Sequence, residues 1–313
     1  MTTLRTFGIG LIGTGIMGRR MAMALQQHAR FHIAAVWDPE ADASRRAALD
    51  FGPAASVDSL HALASHAGVD AVYIASPPAH HLAGVQAAVA ARRPCLCEKP
   101  LAHTVADAQA LRDAVVAAGL PFAVHFPFAR GAASQRLQAL VRGGDLGEVQ
   151  QATLTLRFAR WPRPWQEGAS AWLAGPAQGG FTREVLSHFV FLAQRLFGPA
   201  QAHVVVLERQ AGATETRLQA TLAHAGTTLT VDAAVAGEVA DHNRFDVVGS
   251  QGRAALVDWQ RLDYQGQTSQ RVDSTPATLD AFAALLEGRS DHGLATADEA
   301  LAVVRTIEAL LAG

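Results

Sequence analysis

The sequence predicts an α/β protein built in two parts. A doubly wound parallel sheet with helices on both faces comes first, and an α+β region with a large open, mostly antiparallel sheet follows. Three observations carry this. Over the first 125 residues or so, short apolar runs alternate with helix-period runs, the pattern of successive βαβ units. Past residue 148 or so, runs with period-2 alternation follow one another with only turns between them, the pattern of neighbouring antiparallel strands. A chain of 313 residues also exceeds what one small core serves, so a division into 1–125 and 126–313 is expected.

Taken in order, residues 7–13 (FGIGLIG) read as a strand and 16–28 as a helix. Residues 31–38 form the second strand, and 39–52 a helix closed by Gly52, a residue suited to the left-handed turn after a helix end. Strand 70–77, helix 79–92, strand 94–100, helix 104–119 and strand 121–126 complete the first part. In the second part the strand candidates are 148–161, 202–208, 216–224, 227–236, 244–250 and 253–259. A helix over 182–196 lies among them, and helical runs over 278–288 and 297–312 close the chain. Thr296 is a good N-cap for the last, with Asp298 and Glu299 in its first turn, where negative charge meets the positive end of the helix dipole.

Composition narrows the function. Half the residues are apolar, 17% are charged, and the formal net charge is −2, the profile of a soluble globular protein. No basic excess points to nucleic acid. No uncharged apolar run is long enough to span a bilayer, and the N-terminal run ends in a glycine loop, which suits a strand better than a signal peptide. The only cysteines, Cys95 and Cys97, lie two apart in a strand. That spacing suits neither a disulfide nor a zinc site, so both read as reduced core residues and the expected location is cytoplasmic.

The sharpest motif is Gly13-Thr14-Gly15-Ile16-Met17-Gly18. Alone, G-x-G-x-x-G is weak evidence, because glycine is common in turns. Here it follows a strand, opens a helix, and precedes a second strand ending in Asp38, 20 residues beyond Gly18. That is the layout of a dinucleotide-binding Rossmann unit. Each residue has a task. Gly13 permits the tight turn, Gly15 lets the backbone approach a pyrophosphate, and Gly18 lets the helix pack against the strand. The helix N-terminus offers free N–H groups and a positive dipole end to phosphate. Asp38 accepts from ribose hydroxyls and repels a 2′-phosphate, which favours NAD over NADP; Arg45 and Arg46 sit downstream in the next helix.

A second feature is Glu184 and His188, four apart on a helical run after Gly179-Gly180. At that spacing the two side chains share a helix face. An acid that orients an imidazole makes a proton-transfer pair; taken alone, the two residues are equally an ordinary helix pair.

With GTGIMG, SPPAHH, CEKPLA, GDLGEV and GGFTREVLSHFVF in that order, the chain resembles the glucose–fructose oxidoreductase / inositol dehydrogenase family over essentially its whole length. The resemblance implies pyridine nucleotide chemistry on sugars, polyols or related small molecules, in homodimers or homotetramers built through the C-terminal sheet. It implies a catalytic set of Lys99, Glu184 and His188. Two positions depart from the family pattern: Glu184 replaces an aspartate, and Leu186 replaces a glycine two before the histidine. The family's Lys-Pro bond is often cis, which turns the lysine toward the cofactor. Ser76, Pro77 and His80 are implied on the adenosine and pyrophosphate side, with Glu98 supporting the cofactor or its loop and His81 structural or solvated.

His125 ends the sixth strand at the edge where such sheets bind ligands, and Arg130 follows it; both are candidates for substrate contact. The loop 157–172 is rich in tryptophan and arginine. Trp161, Trp165 and Trp172 suit stacking on a sugar ring or packing at a subunit contact, and Arg163 suits a carboxylate. Arg183 suits either substrate or an ion pair. No metal is expected, because His80, His81, His125 and His188 lack ligand spacing. The expected activity is hydride transfer to or from a carbon bearing a hydroxyl or carbonyl. A reductase of C=N or C=C bonds, a dihydrodiol dehydrogenase, and a non-catalytic nucleotide-binding regulator are the alternatives.

Overall fold

A computed structural model describes residues 5–52, 54–237 and 240–313. The chain forms two compact units. One runs to Phe126 and takes back Thr275–Leu301; the other holds Pro127–Ser274 and Ala302–Gly313.

In the first unit, strands β1 (Phe7–Ile12), β2 (Phe31–Trp37), β3 (Ala55–Ser56), β4 (Ala71–Ile74), β5 (Cys95–Glu98) and β6 (Phe122–His125) form one parallel sheet. Helices α1 (Ile16–Gln27), α2 (Ala41–Asp50), α3 (Leu60–Ser65), α4 (His81–Ala90) and α5 (Val105–Ala118) connect them. The strand order is β3-β2-β1-β4-β5-β6, the doubly wound arrangement whose direction of travel reverses between β1 and β4. Strands β1, β4 and β5 are buried along their whole length, as near-continuous apolar runs covered on both faces must be. Short β3 and α3 have no counterpart in the sequence reading, because two residues of strand and six of helix are too brief to show a period.

The second unit begins with α6 (Ala132–Arg142) and the long strand β7 (Val149–Phe158). The short α7 (Ser170–Leu173) precedes a π turn at Thr182–Leu186, which runs into α8 (Ser187–Phe197). Strands β8 (Ala200–Arg209), β9 (Glu215–His224), β10 (Thr227–Val235), β11 (His242–Gly249), β12 (Arg253–Val257), β13 (Arg261–Tyr264) and β14 (Gln267–Thr268) follow. With β7 they make an eight-stranded sheet in the order β14-β13-β12-β11-β7-β10-β9-β8. All neighbours are antiparallel except β7 and β10. The period-2 alternation buries Leu154, Leu156, Leu218, Leu222, Val231, Phe245 and Val247. The intervening positions Thr153, Thr155, Thr230, Asp232, Arg244 and Asp246 are partly or fully exposed.

The closing helices are α9 (Thr275–Leu286) and α10 (Ala297–Ala312). The expectation that everything past residue 125 folds together is corrected here, since 275–301 belongs with the parallel sheet. Apolar packing explains the return. Phe282 of α9 stacks on Phe31 of β2, with centroids 5.7 Å apart at 18°, and Leu279 and Leu285 join the same core. The Val124 N–H donates to the Ala295 carbonyl at 2.9 Å, pairing the edge strand β6. Helix α10 starts with a reciprocal cap: Glu299 N–H donates to Thr296 Oγ1 at 3.2 Å, and Thr296 N–H to Glu299 Oε2 at 2.9 Å.

Candidate active site

Where β1 passes into α1, the three glycines prove to have different physical reasons. A side chain on Gly13 would stand 2.8 Å from the Ala75 carbonyl and the Ser76 nitrogen, and its φ is +88°. One on Gly18 would collide with the Gly13 carbonyl. Gly15 is different: it is exposed, and a Cβ there meets nothing within 4 Å. The protein's own packing therefore requires Gly13 and Gly18 but leaves open space at Gly15. Gly15 is the N-cap of α1, and no side chain caps that helix, so its first N–H groups face outward.

Thr14 is buried, Ile16 half-buried and Met17 exposed. Asp38 directly follows β2 and fastens this loop. Its Oδ2 accepts from Thr14 N–H at 2.8 Å and Thr14 Oγ1 at 2.9 Å, and its Oδ1 accepts from Glu40 N–H at 3.1 Å. A carboxylate offers about four acceptor directions. Three of those directions are taken within the protein and one stays open. Arg45, in α2, is paired with Asp42.

Across the switch point, β4 is followed by Ser76 and Pro77. Ser76 Oγ is buried with no hydrogen-bond partner, and such a group calls for a ligand or a cost. The histidine held in this segment is His81 rather than His80. His80 is exposed, whereas His81 is fully buried. The His81 Nε2 lies 2.9 Å from the Ser76 carbonyl, and its Nδ1 lies 3.0 Å from that of Pro100. It ties the loop after β4 to the loop after β5. Burial holds this imidazole below its ordinary pKa of 6.5 despite those carbonyls. The open cradle at Gly15, the uncapped helix and the orphaned Ser76 hydroxyl together fit the pyrophosphate and ribose of a dinucleotide.

Strand β5 delivers Glu98 and Lys99 to the carboxyl edge of the sheet. The Lys99–Pro100 peptide is cis, and Lys99 is half-buried. Of the 26 lysines and arginines in the chain, Lys99 is the single lysine. Motif reading passes over that count, yet it is a signal. A chain that uses arginine everywhere else keeps one compact ammonium at the carboxyl edge of the sheet.

Glu98 is buried between its sheet neighbours. Its Oε1 accepts from the Tyr73 hydroxyl and from His125 Nδ1 at 2.9 Å, and its Oε2 from Lys99 N–H at 3.3 Å. Burial opposes its ionisation. The His125 imidazole, the two hydrogen bonds and the Lys99 charge outweigh burial, and hold the carboxyl below its ordinary 4.5. Burial, then the Glu98 carboxylate, push the Tyr73 phenol well above its ordinary 10.0, so it stays a donor. His125 Nε2 remains buried without a hydrogen-bond partner. Glu98 is thus engaged on both oxygens, an orienting group within the protein.

In the second unit, the Glu184–His188 segment is a π turn passing into α8, with Ser187 N–H reaching back to Thr182 O. Single π turns inside helices recur at functional sites. Two anchors hold it, Glu215 and Arg183. Thr182 N–H donates to Glu215 Oε1 at 2.6 Å. The Glu215 carboxylate lies so close to Gly180 that a side chain there would strike it. Burial raises the Glu215 pKa above 4.5.

Arg183 is the second anchor, and of the two readings open to it in the sequence it takes the ion pair. Its Nε and Nη2 donate to Glu308 at 2.7 and 2.9 Å, and its Nη1 to the Pro176 carbonyl at 2.7 Å. The guanidinium is engaged on all three nitrogens in holding the turn. Leu186 is fully buried, so the position where the family has glycine is filled by packed side chain.

The tryptophan-rich loop is tied to the same turn. Gln166 is buried; its Oε1 accepts from Arg163 Nε at 3.1 Å, and its Nε2 donates to Glu184 Oε1 at 3.5 Å. The Arg163 guanidinium lies 4.7 Å from the ring centre of Trp165, which is exposed, and 5.5 Å from that of Trp161. Trp161 is structural, since its Nε1 donates to the Leu173 carbonyl at 3.1 Å and its ring packs on Phe158 and Phe181. Arg130 is half-buried, and its Nε has no hydrogen-bond partner.

His188 is buried among rings: Trp259 at 5.0 Å, at right angles, and Phe128 at 6.0 Å. Trp259 lies outside any strand, in the β12–β13 connection at φ +72°. The sequence alone predicts a strand through it, over 253–259. A bulky residue pays about 1–3 kcal/mol for that conformation. Tyr73, Gln166, Glu215 and Trp259 are the site-region residues that motifs do not reveal, because each acts by meeting residues distant in the chain. No cluster of three or more His, Cys, Asp or Glu able to hold a metal is found among the described residues.

The fold and the glycine cradle define a dinucleotide-binding α/β protein. Residues 7–126 match the model of an oxidoreductase family with an NAD-binding Rossmann fold, and residues 134–255 match the GFO/IDH/MocA C-terminal domain. The chain belongs to the Gfo/Idh/MocA family. Inositol 2-dehydrogenase of Gluconacetobacter diazotrophicus is 36% identical over 150 residues, 46% of this chain and 44% of that protein. The chain thus spans less than half the length of such curated relatives. An oxidoreductase from Thermotoga maritima has the same fold, with a TM-score of 0.85 at 19% identity over 98% of this chain and 96% of that one. So does the WlbA dehydrogenase from Bordetella pertussis in complex with NADH and UDP-GlcNAcA, with a TM-score of 0.84 at 20% identity over 100% and 96%.

Two predictions follow from this geometry. Gly15→Ala should keep the wild-type melting temperature yet weaken NADH binding at least tenfold or so, the scale of one lost charge-assisted contact. Gly18→Ala should lower the melting temperature. Calorimetry beside a binding titration separates the two, and unaltered NADH affinity in Gly15→Ala would remove the loop as a phosphate cradle. Because the Glu98 carboxyl is held low, the stability it supplies is present above pH 4.5 and is lost as pH falls through its lower folded value. Glu98→Gln should therefore be less stable than wild type at neutral pH, with the gap closing in acid. A constant gap in melts across pH 3 to 7 or so would contradict the ionised Glu98 carboxylate.

Proposed function

We propose that the chain is an NAD(P)-dependent oxidoreductase that moves a hydride to or from a hydroxyl- or carbonyl-bearing carbon of a sugar, polyol or related small molecule. The observation that carries it is Lys99: the chain's one lysine, in Glu-Lys-Pro at the carboxyl end of β5, with its backbone held by the buried Glu98 carboxylate. Family membership and the name of the inositol 2-dehydrogenase relative support the same reading.

Gly13, Thr14, Gly15, Ile16, Met17 and Gly18 with Asp38, Ser76 and Pro77 hold the dinucleotide, and the bound nicotinamide supplies the hydride donor or acceptor. Lys99 hydrogen-bonds the reacting substrate oxygen and makes developing negative charge tolerable. His188 takes the hydroxyl proton at its imidazole in oxidation and returns it in reduction, with Glu184 as its electrostatic partner. Glu98 holds Lys99 in place. Asp38 favours NAD over NADP, since its remaining acceptor direction suits a ribose hydroxyl and its charge repels a 2′-phosphate. The two free, buried thiols suit a reducing compartment such as the cytoplasm. A second reading, reduction of C=N or C=C bonds or oxidation of a cyclic dihydrodiol, is favoured by the aromatic rings around His188 and the filled Leu186 position.

The partly exposed polar face of the eight-stranded sheet, with Arg157–Asp232 and Arg244–Asp263 pairs across strands, is proposed to join copies into a homodimer or homotetramer. A monomer in sedimentation equilibrium would exclude that.

The reading is tested by turnover. With NAD and a panel containing myo-inositol, D-glucose and a cyclic dihydrodiol, His188→Ala should lose about 10²- to 10⁴-fold in kcat with NADH affinity unchanged. Lys99→Arg should also lose turnover, because a planar guanidinium is no substitute for a compact ammonium. Wild-type rates in both variants would reject these roles.

A further inference from the structure

The connection from β12 to β13 turns through Asp258 and Trp259 at φ +44° and +72°. Turns with positive φ at both central residues ordinarily carry Asn-Gly or Asp-Gly. Here tryptophan stands where the backbone favours glycine. Asn243 fastens it there: Trp259 N–H donates to Asn243 Oδ1 at 3.0 Å, and Asp258 N–H to the Asn243 carbonyl at 2.9 Å. Asn243 itself is buried at the start of β11. The Asp258 carboxylate completes the clamp by pairing with His242 Nδ1 at 3.0 Å and with Arg261.

The indole thus held meets three rings of the same unit. Its centroid lies 5.0 Å from the His188 imidazole at 89°, 5.5 Å from Phe189 and 5.6 Å from Phe128. Phe128 also approaches His188 edge-on, at 71°. Burial alone is a weak reason for the arrangement, because Trp259 remains half-exposed while His188 is buried. An imidazole has a broad, soft second torsion. Rings set across it remove that freedom, and perpendicular contacts are the favoured geometry for aromatic pairs.

We propose that Trp259 is a positioning residue for His188, with Asn243 holding the indole in the left-handed turn so that the imidazole keeps one ring plane for proton transfer. This rests on the reading of His188 as the proton-transfer group. Trp259 touches no reacting atom in this role. Its effect reaches the reaction through the orientation of His188.

Three variants of the full chain test it. Trp259→Gly suits the backbone and removes the indole, Trp259→Phe keeps a ring, and Asn243→Ala loosens the clamp. With NAD and myo-inositol, Trp259→Gly should lose about 10- to 100-fold in kcat, the scale of a small misplacement, with KM and NADH affinity nearly unchanged. Trp259→Phe should recover most of the loss, and Asn243→Ala should fall between. Independently of turnover, the His188 ring signals in ¹³C-histidine-labelled protein, assigned by their loss in His188→Ala, should shift and broaden in the Gly variant and return in the Phe variant.

A folded Trp259→Gly with wild-type kcat and an unmoved His188 signal overturns the proposal. If that variant lacks a cooperative melt, the comparison of Trp259→Phe with Asn243→Ala decides in the same way. If myo-inositol is not turned over, the His188 signal decides alone. Full turnover in His188→Ala would instead reject the proton-transfer reading. An inactive His188→Ala beside a fully active Trp259→Gly would reject only the role of Trp259.

Discussion

Much of the first unit depends on one close approach of backbone to backbone. Gly18 sits against the Gly13 carbonyl, and Gly13 against the peptide between Ala75 and Ser76, with no room for a Cβ at either. That contact lets α1 begin directly behind β1 and brings the end of β4 alongside it. The point where the sheet reverses its order therefore becomes a place where backbone N–H groups face outward. Asp38 locks the arrangement from β2 through both donors of Thr14. The one glycine of the loop that packing does not need, Gly15, lies where the space is open. The loop thus combines a tight fit on one side with open space on the other.

The second unit uses buried charge for a comparable purpose. A π turn does not propagate its own hydrogen-bond ladder, so other groups must hold it. Glu215 does so from β9 by accepting the Thr182 amide, and Arg183 does so by its paired contact with Glu308 of α10. With the turn held, Gln166 can reach Glu184 from the tryptophan loop, and His188 can sit among Phe128, Phe189 and Trp259. In both units the residues that would carry chemistry are few, and the residues that hold them are distant in the chain.

That distance decides what was legible in the sequence. The parallel strands declare themselves because each is an apolar run bounded by turns, and the antiparallel sheet does so because Leu154, Leu156, Phe245 and Val247 alternate with polar neighbours. The glycine loop, Asp38 and the Glu-Lys-Pro and Gly-Gly segments are local spacings, so they too are readable. The return of α9 to the first unit is not, since nothing local in its apolar face says that Phe282 meets Phe31. Trp259 reads as the end of a strand, because β-propensity favours tryptophan and positive φ leaves no mark on a residue other than glycine. Arg183 reads equally as a substrate contact or an ion pair until Glu308, far along the chain, comes into contact. The burial of His81 rather than His80 turns on carbonyls of the next loop. The single lysine, by contrast, was countable from the start. Its meaning depends on chemistry rather than on pattern.

The account turns on dinucleotide binding at the Gly15 cradle, with Asp38 setting the choice of cofactor. The most direct measurement is a titration of the purified protein with NADH and, separately, NADPH, followed by nicotinamide fluorescence. Saturable NADH binding with much weaker NADPH binding is the predicted result. Binding of neither would contradict the central claim and leave the fold without its cofactor; preference for NADPH would contradict the role given to Asp38.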